Sequence, residues 1–356
     1  MAGRADWVGG SRNIELDGKS LEIPPVTLAG FFGYGNAGDE MILSLVRRRL
    51  DPILFLSGPR PVGSGSVRRF HLPSVWRALG RSRALVVGGG ELFQTRTSVR
   101  SLIYYMALPW LARRRGRPVM VFGAALDPSL GKIGQRCVGL SLRGAKSLWV
   151  RDETSARFLA VNGVSSRRMP DVVWAWPRPT GTVPKDLRRI LWVLRFPRTG
   201  RDGFFPLDGT PWPGTWDHGV LALDPTEDAE GVGRFRSTTP FFTRLERWSQ
   251  PDDILNVMGR YDLVVTMRYH GLVCAALAGR PALAIPSHGK VQDLADELGV
   301  STVSPWLGAV SWPSVLNSAF LKGPADVGDR PQQARRALDE LAQQIVKACT
   351  VGGAKC

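Results

Sequence analysis

The chain has 356 residues, and its 47 Lys and Arg against 31 Asp and Glu give a formal net charge of +16. A hydrophobic content of 44% with 22% charged residues excludes wholesale disorder, and the 40 glycines and 26 prolines follow no period, which excludes collagen-like and solenoid architectures. The length predicts two domains of about 100–200 residues each, and the charge favours an anionic partner: nucleic acid, a membrane surface or a small phosphorylated or carboxylated substrate.

Residues 1–25 predict a flexible leader, because they carry charges but lack the apolar core of a signal peptide or a membrane span. The four cysteines have neither the spacing of a zinc site nor that of a disulfide framework. We therefore expect a protein of the reducing cytoplasm, without a metal centre, that is at most peripheral to the cytoplasmic face of a membrane.

The segment 26–178 predicts a first Rossmann-like domain, because continuous apolar runs alternate with helical patterns, as in a parallel sheet covered on both faces. Its predicted strands are 26–32, 53–56, 84–88, 119–123 and 147–153, the last ending in charged residues, and its predicted helices are 40–49 and 102–115. The Pro- and Trp-rich segment 170–184 lacks periodicity and predicts the interdomain linker.

The segment 185–329 predicts a second Rossmann-like domain, and residues 330–356 predict a terminal helix and tail. The predicted strands are 190–195, 220–224, 263–266 and 282–285, with helices at 251–258 and 272–279. A Gly-, Pro- and Trp-rich stretch, 197–219, stands where a crossover helix is expected. The pattern predicts an α/β protein of the GT-B type, in which two doubly wound domains face a central cleft and ligands bind at the carboxyl ends of the strands.

The first candidate motif is the loop Gly33–Glu40, which follows a strand, opens a helix and matches G-x-G-x-x-G. A dinucleotide is disfavoured, because Asp39 and Glu40 would repel a pyrophosphate at the helix N-terminus. Moreover, Asp51 precedes the next strand instead of ending it. Asp39 as a helix cap beside glycines that permit a tight turn is the purely structural alternative.

Two further candidates follow strands of the same domain. The triple glycine Gly88–Gly90 would let backbone amides approach a ligand, although a strand-to-helix turn explains it equally well. Arg151 ends a strand, where its planar fork suits a carboxylate or phosphate. An ion pair between Arg151 and Asp152 or Glu153 is the alternative.

The sharpest motif, Met267–Gly271, joins a buried strand to an apolar helix. Histidine at such a junction exchanges protons near neutral pH, so His270 is a candidate acid or base, and Arg268 is a candidate anion ligand. Lys290 follows the next predicted strand and would place a cation at the same level of the cleft as His270. Helix capping, or a hydrogen bond in the core, is the structural alternative for His270.

Taken in order, these motifs resemble the polysaccharide pyruvyl transferases over about residues 26–298. The resemblance is carried by the segments GYGNAGDE, GGGELFQ with TSVRSLIYYM, VRDE, LRFP, MRYHGLVCAALAGRPALAI and a following Lys. It is strongest to the CsaB type, which modifies secondary cell-wall polysaccharide in bacteria that carry S-layer proteins. Tyr269 stands where the family usually has Leu, and Gly271 where it usually has Ala.

The resemblance implies transfer of a pyruvyl group from phosphoenolpyruvate onto two hydroxyls of one sugar, which gives a cyclic pyruvate ketal. The implied acceptor is an N-acetylmannosamine-like unit of a cell-wall or lipid-linked polysaccharide, and no cofactor is implied. His270 matches the motif histidine and is the expected acid. The implied donor ligands are Arg151, Arg268, Tyr269 and Lys290. The implied acceptor-side or loop residues are Gly35, Asn36, Asp39, Glu40, Gly89, Gly90 and Gln94.

Two other functions fit parts of the sequence. The predicted fold also serves glycosyltransferases that use a sugar nucleotide, because fold alone does not fix function. A non-catalytic basic protein that binds a membrane or nucleic acid would explain the charge. Nucleic acid is not expected, since the runs Arg47–Arg49 and Arg113–Arg115 end predicted helices, where cations suit the helix dipole. Contact with an anionic inner membrane, or a plain Arg-rich composition, remains as the source of the charge.

Overall fold

The computed structural model describes residues 12–16, 19–50, 53–58, 64–95, 98–127, 129–179, 183–195, 212–239, 241–286, 289–304 and 311–351. The chain forms two compact units. The first comprises residues 1–34, 39–175 and 332–356, and the second comprises residues 35–38 and 176–331. The main division thus falls inside the segment predicted as a linker, and the terminal helix belongs largely to the first unit.

Strands and helices alternate through the first half of the chain. In chain order they are β1 (Arg12–Leu16), β2 (Lys19–Ile23), β3 (Val26–Phe32), α1 (Ala37–Leu50), β4 (Ile53–Ser57), β5 (Ser66–Arg68), α2 (Leu72–Arg81), β6 (Ala84–Gly88), β7 (Glu91–Phe93), α3 (Val99–Arg114), β8 (Val119–Leu126), α4 (Lys132–Leu142), β9 (Ser147–Val150), α5 (Glu153–Val161), β10 (Arg167–Arg168) and a 3₁₀ helix (Val172–Ala175).

The sheet of the first unit is parallel and has the strand order β10-β9-β8-β6-β3-β4-β5, with β7 paired to β8. Strand β8 is buried along its whole length, as expected for a central strand covered on both faces. From β3 the chain first builds outward through β4 and β5, and then returns to place β6 on the other side. The order therefore reverses between β3 and β6, and ligands bind at such switch points, beyond the carboxyl ends of the strands.

The predicted leader contains regular structure. Residues 12–16 and 19–23 form two antiparallel strands in which Arg12 pairs with Ile23 and Leu16 with Lys19. The expectation of a flexible leader is wrong for these residues, and residues 1–11 lie outside the described part. The sequence contains a signal for this pairing: apolar and polar residues alternate on both sides of the Asp17-Gly18 pair, a typical hairpin turn dipeptide.

The second half of the chain repeats the alternation. Its elements are β11 (Arg189–Val193), β12 (Asp217–Leu221), α6 (Pro225–Thr238), β13 (Thr243–Glu246), α7 (Pro251–Gly259), β14 (Leu263–Thr266), α8 (Tyr269–Leu277), β15 (Ala282–Ala284), α9 (Gly289–Glu297), β16 (Ser301–Thr302), α10 (Trp312–Leu321) and α11 (Arg330–Val351).

The sheet of the second unit is also parallel, with the order β13-β12-β11-β14-β15-β16. Its direction reverses between β11 and β14, so a second switch point lies beyond Val193 and Thr266. The strand predicted at 220–224 is observed as β12, which starts earlier, at Asp217. Sequence reasoning began it at the first apolar residue, whereas His218 is buried inside the strand, where its Nδ1 accepts a hydrogen bond from Trp192 Nε1 (3.2 Å).

Part of the predicted linker is core. Val172, Val173, Trp174 and Trp176 are all buried, although this Pro- and Trp-rich sequence has no periodicity. Periodicity failed here because a single 3₁₀ turn is too short to repeat a pattern. The stretch 197–219 lies outside the described residues up to position 211, and β12 begins before it ends. No helix in the described ranges has the length and apolar character needed to cross a bilayer.

Candidate active site

The first glycine loop is held by its own helix. Gly33 and Gly35 have φ values of 76° and 84°, a region that side chains with a Cβ rarely adopt, so the turn after β3 requires glycine there. The Gly33 N–H donates to Oε1 of Glu40 on the first turn of α1 (2.7 Å). Glu40 therefore fixes the loop, one of the two roles expected for it.

The second glycine loop follows β6, the neighbour of β3, and meets the first loop. Gly89 and Gly90 have φ values of 82° and 75°. A Cβ at Gly90 would lie 2.5 Å from Oδ1 of Asp39, which is buried on α1. The absence of a side chain at Gly90 thus leaves room for the Asp39 carboxylate, and the two loops form one cluster at the switch point of the first unit.

The remaining acceptor-side candidates are close in sequence to the two glycine loops. Asn36 is half-buried directly before α1, and Gln94 is 9% exposed directly after β7. Asn36 is assigned with Gly35 to the second unit, whereas Gln94 belongs to the first. Their roles toward a sugar stay predictions.

Arg151 lies away from this cluster, at the end of β9, with β8 between β9 and β6. Its Nη1 donates to Oδ2 of Asp171 at 2.7 Å, and the two side chains are 8% and 1% exposed. An ion pair was the structural alternative for Arg151, and the partner seen here, Asp171, is one that the sequence did not indicate. Asp152 instead caps α5 by accepting from the Ser155 N–H (2.7 Å).

Arg268 occupies the switch point of the second unit. It is the N-cap residue of α8, and its backbone N–H donates to Thr266 Oγ1 (3.0 Å) at the end of β14. Its guanidinium Nη2 donates to Oδ1 of Asp228, on α6. The side chain is only 11% exposed, so this ion pair fixes the direction of the guanidinium at the carboxyl ends of the strands.

Asp228 is a site residue that sequence reasoning missed. It is fully buried, its Oδ2 accepts from the Asp224 N–H (3.3 Å), and burial raises the pKa of its carboxyl while the Arg268 guanidinium opposes that rise. A signal for its helix exists in Asp224-Pro225, an N-cap residue followed by proline at the first helical position. Nothing in the sequence singles out Asp228 among the four acids of that helix start.

His270 stands on the first turn of α8, next to Arg268. Its ring lies perpendicular to that of Tyr269, with centroids 5.3 Å apart. A Cβ at Gly38 would overlap His270 Nδ1, so the last glycine of the first motif makes room for the imidazole. A Cβ at Gly271 would likewise overlap Thr266 Oγ1, which explains glycine where the family usually has alanine.

Lys290 completes the set of predicted donor ligands in the second unit. It lies on the first turn of α9, after β15, and is half-buried. Since β15 pairs with β14, the chain brings Lys290 to the strand end adjacent to that of Arg268 and His270. Arg268, Tyr269, His270 and Lys290 thus lie at one edge of one sheet, whereas Arg151 belongs to the first unit.

This edge combines a fixed cation, a second cation and an imidazole. Such a set suits a small molecule with two anionic groups and a reacting atom that receives a proton. Across the described ranges, no three His, Cys, Asp or Glu side chains are grouped so that they could hold a metal ion.

Solved structures resemble the chain in fold. UDP-GlcNAc 2-epimerase from Neisseria meningitidis, bound to UDP-GlcNAc, has a TM-score of 0.57 at 12% identity, covering 91% of this chain and 99% of the epimerase. The corresponding enzyme from Rickettsia bellii has a TM-score of 0.58 at 10% identity, with 92% and 97% covered. At these identities the likeness shows the fold alone: an α/β protein of the GT-B class with two doubly wound units.

The family assignment comes from sequence. A search of curated proteins returned no match. The family profile described as polysaccharide pyruvyl transferase matches residues 36–289. That span contains Arg268, His270 and residues 36–40 of the first glycine motif, ends one residue before Lys290, and covers well over half of the chain. The protein therefore belongs to the polysaccharide pyruvyl transferase family.

Proposed function

We propose that this protein transfers a pyruvyl group from phosphoenolpyruvate to two hydroxyls of one sugar in a glycan, forming a cyclic ketal and releasing phosphate. The observation that carries the proposal is the pair Arg268 and His270 at the switch point of the second unit, in a chain of this family. Family membership supports a transferase that acts on polysaccharide, and the donor and acceptor are the proposed part.

The donor is bound by cations. Phosphoenolpyruvate carries a carboxylate and a phosphate, and the Arg268 guanidinium, held by Asp228, is oriented before any ligand arrives. Lys290 supplies a second positive charge at the neighbouring strand end. Tyr269 stands beside His270 and would line the same subsite. Arg151 stays a predicted donor ligand, with its charge already balanced by Asp171.

The chemical step needs one acid. His270 donates a proton to the methylene carbon of phosphoenolpyruvate, which leaves an oxocarbenium-like centre at C2. One sugar hydroxyl adds to C2 and gives up its proton, for which the neutral imidazole is the base. The C2–O bond to phosphate then breaks, and the second hydroxyl adds to C2 and closes the ketal. Its proton passes to the departing phosphate, which leaves as hydrogen phosphate. Phosphoenolpyruvate and a diol thus become ketal and phosphate, with no oxidant or reductant.

The acceptor is the less constrained partner. The clustered glycine loops of the first unit bring backbone groups together with the buried Asp39 carboxylate, and both kinds of group can bind sugar hydroxyls. An N-acetylmannosamine-like sugar on a cell-wall or lipid-linked polysaccharide, as in the CsaB type, is the acceptor we propose. Work on such a lipid-linked glycan would be done in the cytoplasm, beside the inner membrane, where the basic surface would contact anionic lipid.

Phosphate release from phosphoenolpyruvate, measured across a panel of synthetic N-acetylhexosamine acceptors, tests the proposal. We expect release that depends on one acceptor, and a loss of about 100- to 10,000-fold in His270→Ala, the usual contribution of a general acid. His71→Ala is the matched control, because His71 is exposed and hydrogen-bonded to Ser74 Oγ (2.6 Å).

Two results would overturn the proposal. Full turnover in His270→Ala would remove the acid from its role. A melting temperature raised by a sugar nucleotide but unchanged by phosphoenolpyruvate would identify the chain as a nucleotide-dependent glycosyltransferase instead.

A further inference from the structure

Arg69 is a charged residue in the interior of the first unit. It directly follows β5, and its side chain is enclosed, with 1% of the residue exposed. Nη1 donates to the Tyr34 hydroxyl (3.3 Å) and Nη2 to Ser101 Oγ (3.2 Å). These two bonds direct the guanidinium toward the first glycine loop on one side and toward the first turn of α3 on the other.

Aromatic rings surround the guanidinium. Its central carbon lies 4.5 Å from the ring centroid of Phe70, 4.9 Å from Tyr105, 5.1 Å from Tyr104 and 5.6 Å from Tyr34. These cation–π contacts stabilise the charge. An aromatic ring is not a conventional hydrogen-bond acceptor. The N–H groups of Arg69 that do not donate to Tyr34 or Ser101 therefore gain no hydrogen bond from these rings.

The cluster contains hydrogen-bond donors that are not used. Within the described part of the chain, no carboxylate pairs with Arg69, and its Nε has no hydrogen-bond partner. The Tyr104 hydroxyl is also buried without a partner. A buried cation and a buried hydroxyl without acceptors both cost free energy, and native proteins satisfy nearly all such groups. Two unsatisfied donors in one cluster point to an acceptor that comes from outside the chain.

We infer that Arg69 and Tyr104 bind an oxyanion, a phosphate or a carboxylate, carried by the acceptor substrate. Helix α3 adds to the attraction, since it has 16 residues, its N-cap Ser98 accepts from the Ser101 N–H, and its positive dipole end lies at Ser101. The exposed Arg100 also lies over the Phe70 ring, 4.5 Å from its centroid, and brings a second cation to the cluster.

The position of this cluster connects it to the acceptor side. Tyr34, which accepts from Arg69, lies between the two positive-φ glycines of the first motif. An oxyanion held by Arg69 would therefore lie beside the loop that we assign to the sugar acceptor, an assignment that rests on the proposed function. The glycan that carries the accepting sugar would then also carry a negative charge close to it, on a sugar phosphate or a uronic acid.

Neighbouring tyrosines provide a matched test. Tyr104→Phe removes a hydroxyl without a protein partner, whereas Tyr105→Phe removes one that donates to the Gly30 carbonyl (2.8 Å). The binding of N-acetylglucosamine 1-phosphate, of glucuronate and of neutral N-acetylglucosamine is measured by calorimetry on the full chain. We expect one anionic sugar to bind more tightly than the neutral sugar, and about a tenfold loss for it in Tyr104→Phe.

Tyr105→Phe should lower the melting temperature and leave that affinity unchanged. Any binding of the sugar phosphate to the cations of the second unit is common to all three proteins and cancels in the comparison. A preference for the phosphate or for the glucuronate identifies which oxyanion is bound. Equal affinities for the charged and neutral sugars, or an unchanged affinity in Tyr104→Phe, would overturn the inference.

Arg69→Met, which keeps the volume of the aliphatic stem, gives a second measurement if it folds, and it should abolish the preference for the anionic sugar. Phosphate release from phosphoenolpyruvate is recorded separately. The proposed function fails if no acceptor triggers that release, whatever binds at Arg69. The oxyanion inference fails if release occurs equally well with neutral and anionic acceptors.

Discussion

The two switch points of this molecule are built by different means. In the first unit, glycines with positive φ shape two adjoining loops, and acidic side chains hold them: Glu40 accepts from the Gly33 N–H, and Asp39 lies against Gly90. In the second unit, a buried ion pair between Arg268 and Asp228 directs a cation, and Thr266 Oγ1 fixes the turn that carries it.

The difference matches what each edge would bind. Backbone loops with carboxylates suit the many hydroxyls of a sugar, whereas oriented cations suit a small dianion. The two switch points should also respond to different substitutions. A loop defined by backbone geometry is sensitive to added volume, while a buried ion pair is sensitive to the loss of one charge. Each contrast can be tested by substitution.

The largest effect is expected for Asp228→Asn. It leaves the Arg268 guanidinium, 11% exposed, without its carboxylate, and removing one partner of a buried pair costs about 3–5 kcal/mol. The free energy of unfolding, from urea titration, should fall by that amount, and the KM for phosphoenolpyruvate should rise. Asp339→Asn is the control, since its pair with Arg49 is more exposed and is worth about 1 kcal/mol or less. Equal losses in both variants would contradict the comparison.

A second test uses pH on the buried aromatic clusters. Burial lowers the pKa of His218 from 6.5 to about 4, whereas burial raises the pKa of Tyr104 and Tyr105 above their usual value. Below pH 6.5 the unfolded chain binds a proton at His218 that the folded chain does not, so stability should fall by about 3 kcal/mol between pH 6.5 and 4.

The aromatic cluster of the first unit contributes no such slope over that interval. His218→Gln keeps an acceptor for Trp192 Nε1 and removes the titration, so its stability curve should be flatter than that of the parent protein over the same interval. Parallel curves for the two proteins would show that His218 is not the titrating group.

The smallest free-energy change is expected for Gly38→Ala. The new Cβ overlaps His270 Nδ1, so the imidazole must move, and a displacement near 1 Å at a reacting group costs about 100-fold in rate. The kcat for phosphate release should fall while the circular dichroism spectrum is kept. Gly233→Ala, on α6 with no atom within 4 Å of its Cβ, is the control and should leave kcat unchanged.

Sequence patterns predicted the parts of the fold that are uniformly apolar or rich in glycine. Strands β6, β14 and β15 are continuous buried runs and β3 is nearly so, and the two glycine loops stand where a strand must turn into the next element. Elements with mixed composition were missed. Helix α6 carries two glycines, five charged residues and few apolar ones, so nothing in its sequence indicates that Asp228 faces the interior.

The candidate site was predictable as far as strand ends could be located. Arg268, His270 and Lys290 share one sheet edge because the strand order brings their strands together. Partners that come from elsewhere in the chain could not be predicted, since a lone Asp or Arg has no pattern. Asp228, Asp171 and the enclosed Arg69 are all of this kind, and each is defined only by three-dimensional neighbours.

The division of the chain has a consequence for its synthesis. The first unit contains residues made early and residues 332–351, whose helix buries Ala334, Leu341 and Ile345 and joins Glu340 to Arg167 by a 2.7 Å ion pair. A ribosome therefore releases the complete second sheet before it finishes the first unit. The unit that is translated first is therefore the last to complete its hydrophobic core. Until helix α11 packs against it, its exposed apolar surface is prone to aggregation.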